Sequence, residues 1–95
     1  MAVLNDADRA GALADLPGWT FDAERQGIAK RFTFAGFGEA FAFMTRIAFE
    51  AEKADHHPEW TNVWNRVDIL LSTHSAGGVT SKDIALAHKI EAAAG

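Results

Sequence analysis

The chain has 95 residues, enough for one domain (1–95) with a thin core that an oligomer would help to cover. Apolar residues make up 48%, with 7 Phe and 3 Trp, which argues against disorder, while a formal charge of −4 without any Lys/Arg run argues against a dedicated nucleic-acid binder. The absence of cysteine removes disulfide, iron–sulfur and thiolate–zinc sites and is compatible with a cytoplasmic location; the opening Met1–Asp6 has no basic region before an apolar run, and no run approaches the roughly 20 residues of a bilayer span, so neither a signal peptide nor a membrane helix is expected.

Residues 5–16 read as a helix, capped by Asn5 or Asp6, striped by Ala7, Ala10, Leu13 and Leu16, and stopped at Pro17-Gly18. Trp19–Asp22 and Ile28–Phe34 alternate apolar with polar, as an antiparallel pair of strands does. Glu24-Arg25-Gln26-Gly27 reads as their hairpin turn, with Gly27 able to take positive φ. From Phe37 to about Ala54 the pattern is helical. Phe37, Phe41, Met44 and Ala48 form one stripe and Ala40, Phe43 and Ile47 an adjoining one, a face wide enough to cover a sheet and still meet a second subunit. Pro58 disfavours helical backbone at His57, so this helix is expected to end near Asp55 or His56.

Trp60–Ser72 alternates again, with Val67, Ile69 and Leu71 facing away from Asp68, Leu70 and Ser72 and a tight turn near Asn65-Arg66. Thr73–Gly78 reads as a loop. Thr80 or Ser81 caps a last helix to about Ala93, with Ile84, Ala87 and Ile90 facing inward. The order α-β-β-α-β-β-α implies an α+β fold: three helices packed on one face of a four-stranded antiparallel sheet.

The stretch Glu52-Lys53-Ala54-Asp55-His56-His57-Pro58-Glu59-Trp60 concentrates groups that can move protons near neutral pH. Glu52 and His56 are four apart and would stack on one helical face. A plain alternative is a solvated Glu52 with the histidines answering the helix dipole. Consecutive histidines do not suit a metal, because a regular helix or strand sends them apart. No cysteine nucleophile and no Gly-x-Ser-x-Gly elbow is present. His74 follows an apolar strand into a loop, a common place for a reactive group. Asp83 lies three after Thr80, the spacing of a capping box. His88, on the last helix, is given no role.

Glu52–Trp60, with Asn62-Val63-Trp64-Asn65, Leu71-Ser72-Thr73-His74, Asp83-Ile84-Ala85-Leu86-Ala87 and the earlier Phe41-Ala42-Phe43-Met44-Thr45-Arg46, resembles the pterin-4a-carbinolamine dehydratase family, also known as the dimerisation cofactor of a homeodomain transcription factor. The resemblance covers about Phe32 to Ala87; the N-terminal third matches only in pattern. Trp64 stands where relatives often carry Tyr, and Asp68 where animal members tend to have His. The resemblance implies the same α+β fold, a homodimer or homotetramer, and dehydration of 4a-hydroxytetrahydropterin to quinonoid dihydropterin, which recycles the pterin of aromatic amino acid hydroxylases, in bacteria usually during phenylalanine hydroxylation. By position it makes His56 and His74 the acid and base and has His57 bind the pterin.

Under the same resemblance Glu52 and Asp55 tune the imidazoles or bind the ring, Pro58 fixes the loop, and Trp60 supports the wall. The backbone at Ser72 and Thr73 meets the pterin, and Asp83 orients a histidine. The reaction implied needs no metal or other cofactor, since histidine, with an unperturbed pKa of about 6.5, suits both proton transfers. Two other readings remain open at this point: a protein-binding or dimerisation module acting through the aromatic face of the second helix, and a metal hydrolase.

Overall fold

A computed structural model describes residues 2–95; Met1, the first residue of the expected domain and of the opening read for a signal peptide, lies outside them. The elements are α1 (Asp6–Leu13), β1 (Thr20–Asp22), β2 (Gly27–Thr33), α2 (Phe37–Ala54), β3 (Glu59–Val63), β4 (Arg66–Leu71) and α3 (Ser81–Ala94), in the expected order. The strands form one antiparallel sheet, β1-β2-β4-β3, in which two local hairpins meet through β2 and β4. The register pairs Phe21 with Ile28, Ile28 with Leu71, Phe32 with Val67 and Trp60 with Ile69. These residues share one face, the one the helices cover, and Ile28, Val67 and Leu71 are fully buried there.

α1 is shorter than the expected 5–16. Asn5 caps it, its side chain accepting from the Asp8 N–H at 2.8 Å, but beyond Leu13 the chain tightens into turns that deliver Leu16 to the core. In the first hairpin the positive φ falls on Gln26 (53°) and not on Gly27. Gly27 is needed for a different reason: a Cβ there would stand 2.7 Å from both Leu70 Cδ1 and the Leu71 carbonyl oxygen. The second hairpin turns at Trp64-Asn65, one residue earlier than expected, with Trp64 at φ 50°. Asn62 secures that turn by donating to the carbonyls of Trp64 (3.1 Å) and Arg66 (2.9 Å).

α2 spans the expected residues. Its wide apolar face divides in two: Ala40, Phe43, Ile47 and Ala51 are buried, while Phe37, Phe41 and Phe49 are 50%, 57% and 67% exposed. Phe43 packs against Phe32 and Phe34, with ring centroids 4.9 and 4.8 Å away. Full burial of one such side chain contributes about 1.5–3 kcal/mol. α2 ends in a Schellman turn: Asp55 takes left-handed backbone (φ 50°, ψ 43°), the Asp55 N–H bonds the Glu52 carbonyl and the His56 N–H bonds that of Ala51.

α3 buries Asp83, Leu86, Ala87 and Ile90, whereas Ile84, expected on the inner stripe, is only half-buried. The capping carboxylate of Asp83 is drawn inward, so the positions three, four and seven later turn to the core. At its far end Glu91 pairs with Lys30 and accepts from Trp19 Nε1 at 2.9 Å, tying α3 to the first hairpin. Among the described residues no helix is long and apolar enough to cross a membrane.

Candidate active site

Antiparallel pairing sets the start of β3 beside the end of β4, with Glu59 opposite Leu70. The segments flanking that hairpin, 52–58 and 72–83, therefore meet at one end of the sheet. The Schellman turn at Asp55 stops α2 just before the two histidines and sends them in different directions.

His56 goes inward. Its ring, 11% exposed, places Nε2 2.6 Å from Oδ1 of Asp83, which is fully buried. The other oxygen of Asp83 accepts from the Thr73 hydroxyl and the Thr80 N–H, both at 2.8 Å. Since Thr73 spends its single hydroxyl proton on Asp83, the Thr80 hydroxyl is the donor in the 2.7 Å contact between the two threonines. Asp83 is thus both members of the expectation at once: it completes the capping box of α3 and it holds a histidine. Against a carboxylate acceptor the His56 proton sits on Nε2, leaving Nδ1 outside that contact.

His57 goes outward. Its Nε2 lies 2.7 Å from Oε1 of Glu52, with both side chains exposed. The stacking of Glu52 on His56 does not form, because that spacing needs a helix continuing through residue 56 and α2 ends at Ala54. His74, also exposed, pairs its Nε2 with Glu59 Oε1 at 2.8 Å. Glu59 lies in the titratable stretch 52–60 but received no role of its own; the signal for its pairing with His74 is the hairpin register that returns the chain beyond Leu71 to the start of β3.

The remaining candidates make no side-chain hydrogen bond to these three imidazoles. Asp55 acts through its backbone, and Pro58 and Trp60 are half-buried, Trp60 against the core. The Ser72 hydroxyl donates to the Gln26 carbonyl at 2.7 Å. The Thr73 N–H bonds Gly78 O, and the Thr73 carbonyl accepts from Ala76 and Gly77, so its backbone is engaged within its own loop. No group of three or more His, Cys, Asp or Glu side chains arranged for a metal ion occurs among the described residues.

Two concavities adjoin this end of the molecule. One, about 280 Å³, lies between the end of α2 and the start of α3 and is lined by His56. The other, about 700 Å³, spreads over the uncovered sheet face and reaches Glu59 and Trp60. His57 and His74 line neither. Of the three imidazoles only His56 is shielded and lines a concavity; His57 and His74 stand exposed beside it in sequence and at the neighbouring loop.

Residues 2–93 match the sequence model of the family described as Pterin 4 alpha carbinolamine dehydratase. A protein of Rhizorhabdus wittichii, provisionally named a pterin-4-alpha-carbinolamine dehydratase, is 60% identical over 91 residues, covering 96% of this chain and 94% of its own. A Rhodopseudomonas palustris protein with the same provisional name is 54% identical over 96% of this chain and 90% of its own. The crystal structure of a Brucella melitensis protein titled transcriptional coactivator/pterin dehydratase superimposes with a TM-score of 0.95 at 47% identity, covering 98% of this chain and 99% of that one. A more distant structure, titled a pterin dehydratase-like protein as a RuBisCO assembly factor in the alpha-carboxysome, gives a TM-score of 0.71 at 25% identity over 82% of this chain and 90% of its own. The chain belongs to the pterin 4 alpha carbinolamine dehydratase family.

Proposed function

We propose that this protein dehydrates 4a-hydroxytetrahydropterin to quinonoid dihydropterin by imidazole acid–base catalysis. The observation that carries this reading is that three histidines at one end of the sheet each hold Nε2 against a separate carboxylate, at 2.6, 2.7 and 2.8 Å. The shielded pairing with Asp83 favours the Nε2–H tautomer of His56 and leaves its Nδ1 for proton traffic. In the reaction the C4a–O bond breaks as the hydroxyl takes up a proton and leaves as water. The adjacent ring nitrogen gives up its proton, and its electron pair closes a C=N bond. One proton is delivered and one removed, so no oxidant or reductant is consumed.

His56 and His74 form the acid–base pair, and His57 binds and orients the pterin. Asp83 positions His56; Glu52 and Asp55 meet the ring's hydrogen-bonding groups or tune the imidazoles; Pro58 and Trp60 shape the wall. Ser72 and Thr73 hold the loop that carries His74. The product is the form that a reductase returns to the pterin cofactor of aromatic amino acid hydroxylases, phenylalanine hydroxylation in the cytoplasm being the setting we favour. To test this, the carbinolamine is generated with a pterin-dependent hydroxylase and quinonoid pterin is followed spectrophotometrically. Acceleration by the wild type and its loss in His56→Ala and His74→Ala are expected; no acceleration, or unaltered variants, would overturn the assignment.

A second reading is association through the outer stripe of α2, favoured by the exposure of Phe37, Phe41 and Phe49. The stripe suits a homodimer or homotetramer. Sedimentation of Phe41→Asp/Phe49→Asp at the same mass as the wild type would rule it out.

A further inference from the structure

The 280 Å³ cleft beside His56 has a charge pattern that the dehydration does not use. Lys53 enters it from α2, Lys82 and Lys89 from α3, and its floor includes Leu86. The one carboxylate in its lining is Glu50, 3.1 Å from Lys53 and 3.7 Å from Lys89, and these ammonium groups hold Glu50 below the usual carboxylate range, so it stays charged. Three ammonium groups against one carboxylate leave a positive surplus in a chain whose formal charge is −4. Lys82 has no carboxylate partner among the described residues, and it is the second residue of α3, where the helix dipole disfavours a cation. The surplus of ammonium groups favours an anion in this cleft, and lysine binds phosphate as a point charge.

We propose that this cleft is a phosphate-binding site, taking a phosphorylated small molecule whose anionic group lies between Lys82 and Lys89 with His56 at its inner wall. Two sources share that chemistry: a phosphorylated side chain on the pterin, or a separate phosphorylated ligand beside the reacting ring.

The direct test titrates inorganic phosphate into the isotope-labelled protein and follows the His56 ring by NMR, with sodium chloride at matched ionic strength as reference. A saturable shift is expected with phosphate and not with chloride. Lys82→Gln/Lys89→Gln should weaken it about tenfold, the scale of a lost charge-assisted hydrogen bond. Arg31→Gln, on the uncovered sheet face, should leave it unchanged. A shift that follows ionic strength alone, or a double variant that titrates like wild type, overturns the site. The source is read from turnover of two carbinolamines, one with a neutral hydroxyalkyl tail and one with a phosphorylated tail. A KM raised in the double variant only for the phosphorylated substrate assigns the site to the pterin's own tail. Unchanged KM for both, with a saturable NMR shift, assigns it to a separate ligand. If the protein dehydrates neither substrate, the titration still decides the cleft, so the two proposals fail independently.

Discussion

Replacing Asp83 separates its two duties. In Asp83→Ala the buried Thr80 N–H loses its only acceptor, which costs about 1–3 kcal/mol, and the shielded His56 ring loses its partner at a similar cost. Thr73 can turn its hydroxyl elsewhere, so the sum is about 2–6 kcal/mol, a large share of the 5–15 kcal/mol that holds a typical domain. Asp83→Asn is the sharper perturbation. Its carbonyl oxygen can still accept from Thr80 and Thr73 and keep α3 capped, at a cost of about 1–2 kcal/mol for the lost charge. Its NH₂, however, must face His56 Nε2, and a donor there forces that nitrogen to become an acceptor. The proton moves to Nδ1 and the working atom is exchanged. Turnover should fall about 10²–10⁴-fold, the range for a misplaced general acid or base, while the urea midpoint falls by about 1 M, as a loss of about 1–2 kcal/mol implies, and the variant stays folded. Stopped-flow dehydration of freshly generated carbinolamine and urea unfolding of the same preparation make the comparison. Wild-type turnover in the folded asparagine variant would refute the claim that Asp83 sets the His56 tautomer.

Gly27→Ala should destabilise by about 1–3 kcal/mol, since the added methyl meets Leu70 and a backbone carbonyl; thermal melting should show a drop of roughly 5–15 °C. His57→Ala should raise KM more than it lowers kcat, because its pairing with Glu52 lies on the exposed rim; equal loss in both variants of the pair His57→Ala and His56→Ala would contradict a binding role. The Arg31 guanidinium, 2.6 Å away, holds Asp68 below the ordinary carboxylate value. A depressed folded-state pKa contributes stability above the unfolded value and loses it as pH falls through the folded one. The stability gap between wild type and Asp68→Asn should therefore be small but present at neutral pH and vanish in acid below the ordinary value of 3.8, as read by urea midpoints across pH.

The end of α2 was legible because Pro58 and the loss of apolar periodicity both mark it, and the strand faces followed from simple alternation. What misled was treating His56 as a continuation of the helix. One left-handed residue, Asp55, ends the helix before the two rings, and aspartate tolerates that conformation without requiring it, so the sequence did not decide it. Asp83 was ambiguous in the sequence because the capping spacing and the histidine contact call for the same carboxylate. Glu59 was unreadable for another reason: its partner lies fifteen residues on, and only the hairpin register closes that gap. Ile84 and Leu86 exchanged places because an inward cap rotates the helix that it begins.

The three histidines and the three carboxylates facing them all come from residues 52–83, on the flanks of the second hairpin. The first fifty residues supply no atom to these pairs; they reach the site through supports such as the Gln26 carbonyl under Ser72 and the bare backbone of Gly27 under Leu70. The N-terminal half is thus a chassis for a self-contained working insert of about thirty residues. Drift in the chassis alters how firmly the insert is seated, whereas a new chemistry would have to be written in the insert itself.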